Sequence, residues 1–166
     1  MGTIIPNHNK SLLTRSRTQP EPLPCNCRNQ CPMNRTGECR LSNIVYKSTV
    51  STDNNDTLKK EYIGISGTEF KLRYANHKQS FENIQKRDAT SLSQYIWSLK
   101  ESNIPFSVSW SILARCKSYA CGSKTCNLCL TEKLEILKCD PNITLNKRTE
   151  IVGKCRHRAK FKLKKI

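Results

Sequence analysis

The chain has 166 residues, enough for one domain with a tail or a small metal-binding module. Lysine and arginine number 29 against 13 acidic residues, a formal net charge of +16. This excess predicts a polyanionic partner, nucleic acid first and an anionic membrane surface second, rather than a merely solvated surface. No apolar run approaches the ~18 residues of a membrane span, and residues 1–20 lack the apolar core of a secretory signal. An integral membrane protein and a secreted protein are therefore both disfavoured.

The N-terminal part of the chain divides into a tail and a thiol-rich segment. Residues 1–24 have no periodic apolar pattern and end in a proline-rich stretch (QPEPLP), which predicts a disordered basic tail and a stiff linker. Residues 25–40 hold four of the chain's ten cysteines in the spacing C-x-C-x3-C-x7-C. The four thiols that could hold one tetrahedral zinc are Cys25, Cys27, Cys31 and Cys39. A partial site and simple buried thiols remain alternatives, and without a secretory signal we expect a reducing compartment rather than disulfides.

Two strands with a polar connection come next. Residues 44–50 (IVYKSTV) and 61–66 (EYIGIS) are rich in Val, Ile, Tyr and Thr, as strands are. The connection, 51–57 (STDNNDT), is made of Ser, Thr, Asp, Asn and suits a loop. The pattern predicts an antiparallel hairpin.

Helices dominate the chain after the hairpin. Thr68 is a candidate N-cap for a first helix, whose apolar stripe at helical spacing comprises Phe70, Tyr74, Phe81 and Ile84. A second helix is predicted from about Ser91, a strand over 106–112, and a third helix over roughly 126–138. This order predicts a small α/β (α+β) domain over residues 41–153, followed by a basic C-terminal tail over 154–166.

A second group of thiols brackets the third helix. Cys126 and Cys129 form a C-x-x-C at its start, and Cys155 and His157 form a C-x-H near the end of the chain. These are zinc-ligand types, so we predict a second, weaker candidate zinc site if the two ends meet. The alternative is that Cys126 and Cys129 only pack under the helix.

The hairpin carries a recognisable pair of motifs. Tyr62-Ile63-Gly64 matches the second half of the paired signature of the GIY-YIG nuclease family letter for letter. Ile44-Val45-Tyr46 stands where that family has Gly-Ile-Tyr. The chain resembles this family over residues 43 to about 152. The resemblance implies a three-stranded antiparallel sheet flanked by helices.

A closer resemblance is to the endonucleases of Penelope-like retroelements. The shared segments, in order, are CNCR at 25–28, RYANHKQSF at 73–81, YIWSLK at 95–100, CNLCLTEK at 126–133 and LNKR at 145–148. The chain departs from many of these endonucleases in lacking a cysteine pair between the two half-motifs. No reverse transcriptase precedes the domain in this sequence, which leaves both a fragment and a stand-alone derivative open.

The resemblance also implies an active site and a reaction. The residues at the family's catalytic positions are Tyr46, Tyr62, Arg73, Glu132 and Asn146, with His77 where several members carry a polar group. It implies a DNA endonuclease that nicks by hydrolysis with Mg²⁺ (or Mn²⁺) on Glu132, works in the nucleus, and primes the reverse transcriptase of the same element. Taken singly, the two tyrosines are more often core aromatics than catalytic groups, and Arg73 is more often a solvated charge. His77 is as readily a core histidine as a phosphate contact.

The residue types suit this chemistry. Arg73 would stabilise the transition-state phosphate, and Tyr46 is the candidate general base or water-orienting group. Tyr62 would position water or phosphate, and Asn146 would brace the metal shell or the substrate. Glu135 on the same helix is the rival metal ligand. Two other functions stay open: a non-catalytic, zinc-containing nucleic-acid-binding protein, and a disulfide-linked secreted cationic protein.

Overall fold

The computed structural model describes residues 24–27, 31–52, 59–120, 123–155 and 157. The predicted N-terminal tail before Pro24, the hairpin loop beyond Thr52, Cys121 and most of the basic C-terminal tail lie outside the described residues. The strands and α-helices, in chain order, are β1 (Ile44–Thr52), β2 (Lys60–Ser66), α1 (Phe70–Glu82), α2 (Ser91–Glu101), β3 (Phe106–Arg115), α3 (Asn127–Lys138) and α4 (Arg148–Val152). Two short 3₁₀ helices span Glu38–Arg40 and Ile84–Ala89.

The strands form one three-stranded antiparallel sheet in the order β2-β1-β3. The central strand places Tyr46 opposite Gly64 on one side and Ile112 on the other. The register of β1 against β3 shifts at a bulge between Val45 and Tyr46. The predicted α+β class and the three-stranded antiparallel sheet flanked by helices are confirmed.

Both faces of β1 and β2 bury side chains, since side chains alternate along a strand, whereas β3 keeps one face exposed. One face packs against α1 and α2, and its buried residues are Ile44, Tyr46, Val50, Tyr62, Phe70, Leu92, Ile96 and Leu99. Met33 and Cys39 of the thiol-rich segment join this same core. The other face packs Val45 and Ile63 against Leu128 and Ile136 of α3. Burying each large apolar side chain contributes about 1.5–3 kcal/mol, so the two cores fix the helices on opposite faces.

A segment near the end of the chain extends the sheet beyond β2. The Glu61 N–H donates to the Ile143 carbonyl at 2.8 Å, and the Leu145 N–H donates to the Glu61 carbonyl at 2.7 Å. Glu61 and Thr144 form a parallel bridge. The segment 143–145 thereby fastens the C-terminal part of the chain to the hairpin, one residue before Asn146.

Three local predictions need correction. Ser51 and Thr52 continue β1 instead of beginning the loop. Helix α1 has Glu69, not Thr68, at its N-cap position, and the Thr68 carbonyl accepts a hydrogen bond from the Ser66 hydroxyl. The predicted apolar stripe fails at Ile84, which is 53% exposed because α1 ends at Glu82 and a 3₁₀ turn begins there.

Helix α2 begins where predicted, and its boundary has a clear cause. Thr90 and Ser93 form a reciprocal capping box at its start. No helix within the described ranges is long and apolar enough to cross a membrane.

Candidate active site

The hydroxyl of Tyr46 is the point at which β1 and α1 meet. Tyr46 is fully buried, and the Nε–H of Arg73 donates to its hydroxyl at 3.0 Å. The Nε2 of His77 lies 2.7 Å from the same hydroxyl. Arg73 and His77 are four residues apart on α1, which puts them on one side of the helix as predicted. The structure therefore brings together three of the six predicted catalytic residues in direct contact.

Gly64 makes room for this contact. A Cβ atom at Gly64 would lie 2.5 Å from the Tyr46 hydroxyl oxygen and 2.7 Å from the adjoining ring carbon. It would also lie 3.1 Å from the ring of Tyr62. Packing therefore explains why the Tyr-Ile-Gly motif has glycine at this position, since any side chain here would displace the Tyr46 ring.

Burial sets the charge state of this group. Burial raises the pKa of Tyr46, although the Arg73 guanidinium opposes the shift. Burial, together with the nearby Arg73, lowers the pKa of His77 to about 3, so the imidazole is neutral at pH 7. Burial disfavours the charge of Arg73, but the phenol oxygens of Tyr46 and Tyr62 outweigh it and the pKa of Arg73 is raised. The group is a cationic guanidinium against neutral phenols and a neutral imidazole.

Arg73 also faces a cleft of about 620 Å³. Its lining joins Tyr62 of β2, Arg73 of α1 and Glu132 of α3. Burial raises the pKa of both Tyr46 and Tyr62, and the charge of Glu132 adds a smaller contribution in the same direction. Glu135, the rival carboxylate, is not part of the lining and its Oε1 pairs with Lys138 Nζ at 2.6 Å. Tyr62, Arg73 and Glu132 therefore share one cleft.

Asn146 links strand β2 to Glu150, a residue of the cleft lining. Its Oδ1 accepts from the Ile63 N–H and its Nδ2 donates to the Ile63 carbonyl, both at 2.8 Å. Nδ2 also donates to Glu150 Oε2 at 2.8 Å. Asn146 thus holds the backbone of β2 next to the Tyr-Ile-Gly motif and fixes Glu150.

Glu150 is a cleft residue to which the sequence patterns assigned no role. It lines the cleft with Glu132, and its Oε2 accepts from the Lys147 N–H at 2.9 Å as well as from Asn146. The sequence feature that could have pointed to Glu150 is its position three residues after Lys147 at the start of a helix, where an acidic side chain caps the free backbone N–H groups. The cleft thus contains two carboxylates contributed by different helices.

The four thiols of the N-terminal segment form a compact cluster. The Sγ atoms of Cys25 and Cys31 are 3.6 Å apart and those of Cys27 and Cys39 are 3.8 Å apart. All four Sγ atoms lie within 4.8 Å of one another. A hydrogen bond from the Cys27 N–H lowers the pKa of Cys25 to about 7, although burial opposes it. The cluster, which we call the N-terminal thiol cluster, could hold a structural metal such as zinc.

The second predicted ligand set also meets in space. The three Sγ atoms of Cys126, Cys129 and Cys155 and the ring of His157 lie within 4.8 Å of one another. Cys129, Cys155 and His157 line the cleft that contains Glu132. This second cluster, the cleft cluster, could likewise hold a structural metal such as zinc.

Comparison of the chain with protein-family models, with curated proteins and with solved structures found no match. The likeness to GIY-YIG nucleases therefore stays a prediction, carried by the motifs and the geometry of the cleft.

Proposed function

We propose that the protein is a divalent-metal-dependent DNA endonuclease of the GIY-YIG type, similar to those of Penelope-like retroelements. The observation that supports this most is the shared cleft of Tyr62, Arg73 and Glu132, which come from three separate elements. These are three of the positions at which the resemblance implies catalytic residues. The other three do not line the cleft but connect to its residues: Tyr46 bonds to Arg73, His77 to Tyr46, and Asn146 to Glu150.

The charges of the cleft suit a phosphodiester substrate. Arg73, Lys133 and Lys154 line it and would attract the DNA backbone. Arg73 is the best placed to stabilise charge on the reacting phosphate, because its Nε–H is already committed to Tyr46 and its position is thereby fixed. Because the Arg73 side chain is already held in place, it would lose little conformational entropy on binding the substrate.

Glu132 and Glu150 are the two carboxylates of the cleft, the ligand type that magnesium prefers. Mg²⁺ is bound in proteins by one or two carboxylates and keeps several waters. Glu132 would hold Mg²⁺ or Mn²⁺, with Glu150 as the second carboxylate of the same cleft. When bound, the ion would supply an activated water and neutralise charge on the phosphate and the leaving oxygen.

The two tyrosines would have different roles. Tyr46 is fully buried, and burial raises its pKa, so of its two predicted roles the geometry favours orientation over general base. It would act by positioning Arg73. Tyr62 lines the cleft and would contact water or the scissile phosphate. Asn146 would act through Glu150 and the β2 backbone.

A supercoiled-plasmid assay tests the proposal. We expect nicking with Mg²⁺ and none in Mg²⁺-free buffer. Glu132→Gln should reduce nicking about a hundredfold or more and leave duplex binding nearly unchanged, because the amide that replaces the carboxylate is uncharged and is a poor ligand for Mg²⁺. Glu135→Gln on the same helix is the matched control and should retain activity. Nicking retained by Glu132→Gln would reject the assignment.

A second function is favoured by different observations. The two thiol clusters and the charge of +16 equally suit a non-catalytic, zinc-containing nucleic-acid-binding protein. This alternative predicts salt-sensitive duplex binding by the wild type and no nicking with any divalent metal.

If nicking occurs, the 3′ hydroxyl of the nicked DNA strand would prime the reverse transcriptase of the same element, with DNA in the nucleus as the target.

A further inference from the structure

The cleft cluster joins two parts of the chain that are distant in sequence. Cys126 and Cys129 lie at the start of α3, whereas Cys155 and His157 follow α4. His157 Nδ1 is 3.5 Å from Cys126 Sγ, 3.2 Å from Cys129 Sγ and 3.8 Å from Cys155 Sγ. The Sγ atoms of Cys129 and Cys155 are 3.5 Å apart. One nitrogen and three sulfurs thus surround a common point.

These separations correspond to the edges of a zinc tetrahedron. Bonds of about 2.3 Å to sulfur and about 2.05 Å to nitrogen give edges of about 3.8 Å between sulfurs and about 3.6 Å between sulfur and nitrogen. A disulfide would require about 2.05 Å between two sulfurs and would leave the third thiol and the imidazole unused. Three thiols and an imidazole are a common ligand set of structural zinc.

We infer that the cleft cluster binds one structural Zn²⁺ that fastens α4 to α3 and completes the cleft. On binding, three thiols release their protons to solvent and form three Zn–S bonds, and His157 contributes the neutral Nδ1 lone pair. The zinc site would be distinct from the magnesium site of the proposed function, with soft sulfur ligands in place of carboxylates.

The zinc would connect the two carboxylate-bearing helices. Cys129 and Glu132 are three residues apart on α3 and share a helix face. Cys155 and His157 come shortly after Glu150 of α4. The contact between Lys133 Nζ and the Gly153 carbonyl, at 2.8 Å, is exposed and contributes little alone. The metal would therefore add to the hydrogen bonds of Asn146 in holding Glu132 and Glu150 at a fixed separation; this consequence rests on the proposed function, and the zinc site itself does not.

Metal content tests the site without reference to any activity. We expect the full-length wild type, purified with thiols reduced, to contain two zinc ions per chain by mass spectrometry, one in each cluster. Cys129→Ser and His157→Asn should each lose one equivalent. Cys116→Ser is the matched control, because Cys116 packs against the same core as Cys126 but lies outside both clusters. Cobalt-loaded wild type should show the visible absorption of a tetrahedral thiolate site, reduced by about half in Cys129→Ser.

Two results would overturn the inference. One is an unchanged zinc content in both Cys129→Ser and His157→Asn. The other is a Cys129–Cys155 disulfide in wild type purified without reductant, identified by mass spectrometry of its peptides. If Cys129→Ser fails to fold, His157→Asn and the stoichiometry of the wild type still decide the question.

The failures of the two proposals are distinguishable. Zinc-loaded wild type without nicking would reject the endonuclease and leave the zinc site standing. Nicking by a wild type whose zinc content does not depend on Cys129 or His157 would reject the zinc site alone. If both hold, Cys129→Ser should lower nicking at saturating Mg²⁺ at least tenfold while the N-terminal thiol cluster keeps its zinc.

Discussion

Replacing Gly64 with alanine tests the close packing on which the candidate site depends. The new Cβ would lie 2.5 Å from the Tyr46 hydroxyl oxygen, well inside van der Waals contact. The Tyr46 ring cannot move aside easily, since it packs against Phe70 and Trp110 at centroid distances of 5.0 and 5.9 Å and its hydroxyl contacts Arg73. We therefore expect a loss of stability together with a loss of the Arg73 contact.

The size of the effect follows from two opposing contributions. Overpacking a filled core costs about 1–3 kcal/mol. Alanine is favoured over glycine in a strand by about 0.5–1 kcal/mol through backbone entropy. We expect Gly64→Ala to lower the free energy of unfolding by about 1–2 kcal/mol in urea denaturation with zinc present, because the first contribution exceeds the second.

Gly67→Ala provides the matched control. A Cβ atom there would meet His157 Nε2 at 3.8 Å, an ordinary contact, so we expect no more than a small gain or loss in stability. Adding Tyr46→Phe to Gly64→Ala should recover part of the loss, since the nearest colliding atom is the hydroxyl. If Gly64→Ala and Gly67→Ala unfold at the same urea concentration, the tight approach of Tyr46 to Gly64 is refuted.

Two further predictions concern the residues behind the cleft. Because the pKa of buried His77 is about 3 and its usual value is 6.5, the unfolded chain binds the extra proton first, and stability should fall as pH drops from about 6.5 toward 3 by up to about 1.4 kcal/mol per pH unit. Urea denaturation at several pH values measures the slope, which should flatten in His77→Gln; an equal slope in this variant would contradict the assignment. Asn146→Ala should lower stability by about 1–3 kcal/mol, because it strips the Ile63 backbone of two partners and Glu150 of one. Faster hydrogen exchange of the Ile63 amide would report the loss. Asn142→Ala, a change at an exposed residue whose side chain makes none of these contacts, should leave that exchange rate unaltered. Equal exchange rates in both variants would argue against the role of Asn146 in holding β2.

Local patterns were sufficient to predict most of the fold. Alternation along β3 and the apolar spacing of α2 depend only on residues close in sequence, and both elements begin where expected, although β3 continues past residue 112 to Arg115. The placement of Arg73 and His77 on one side of α1 follows from helical geometry alone. Ile84 was misplaced because the end of α1 depends on the Asn83 side chain, which accepts from the Gln85 N–H and starts a 3₁₀ turn.

The candidate site needed contacts that local patterns do not contain. The meeting of Tyr46 with α1 could be proposed only from the family resemblance. Glu150 was missed because its place in the cleft depends on Asn146, whose own position depends on the backbone of β2 more than 80 residues earlier. The cleft cluster was predicted from its ligand types, but whether its two halves meet depends on the packing of α3 and α4.

The hydrogen bonds between Glu61 and residues 143–145 have a consequence for biosynthesis. The outer edge of β2 at Glu61 is covered by a segment made some 80 residues after the strand itself, so a nascent chain on the ribosome would display that edge unpaired until residues 143–145 have been made. Such exposed backbone is prone to pair with other chains, and contacts this distant in sequence form slowly. A polypeptide truncated before residue 143 would therefore be prone to aggregate, and would not merely lack helix α4.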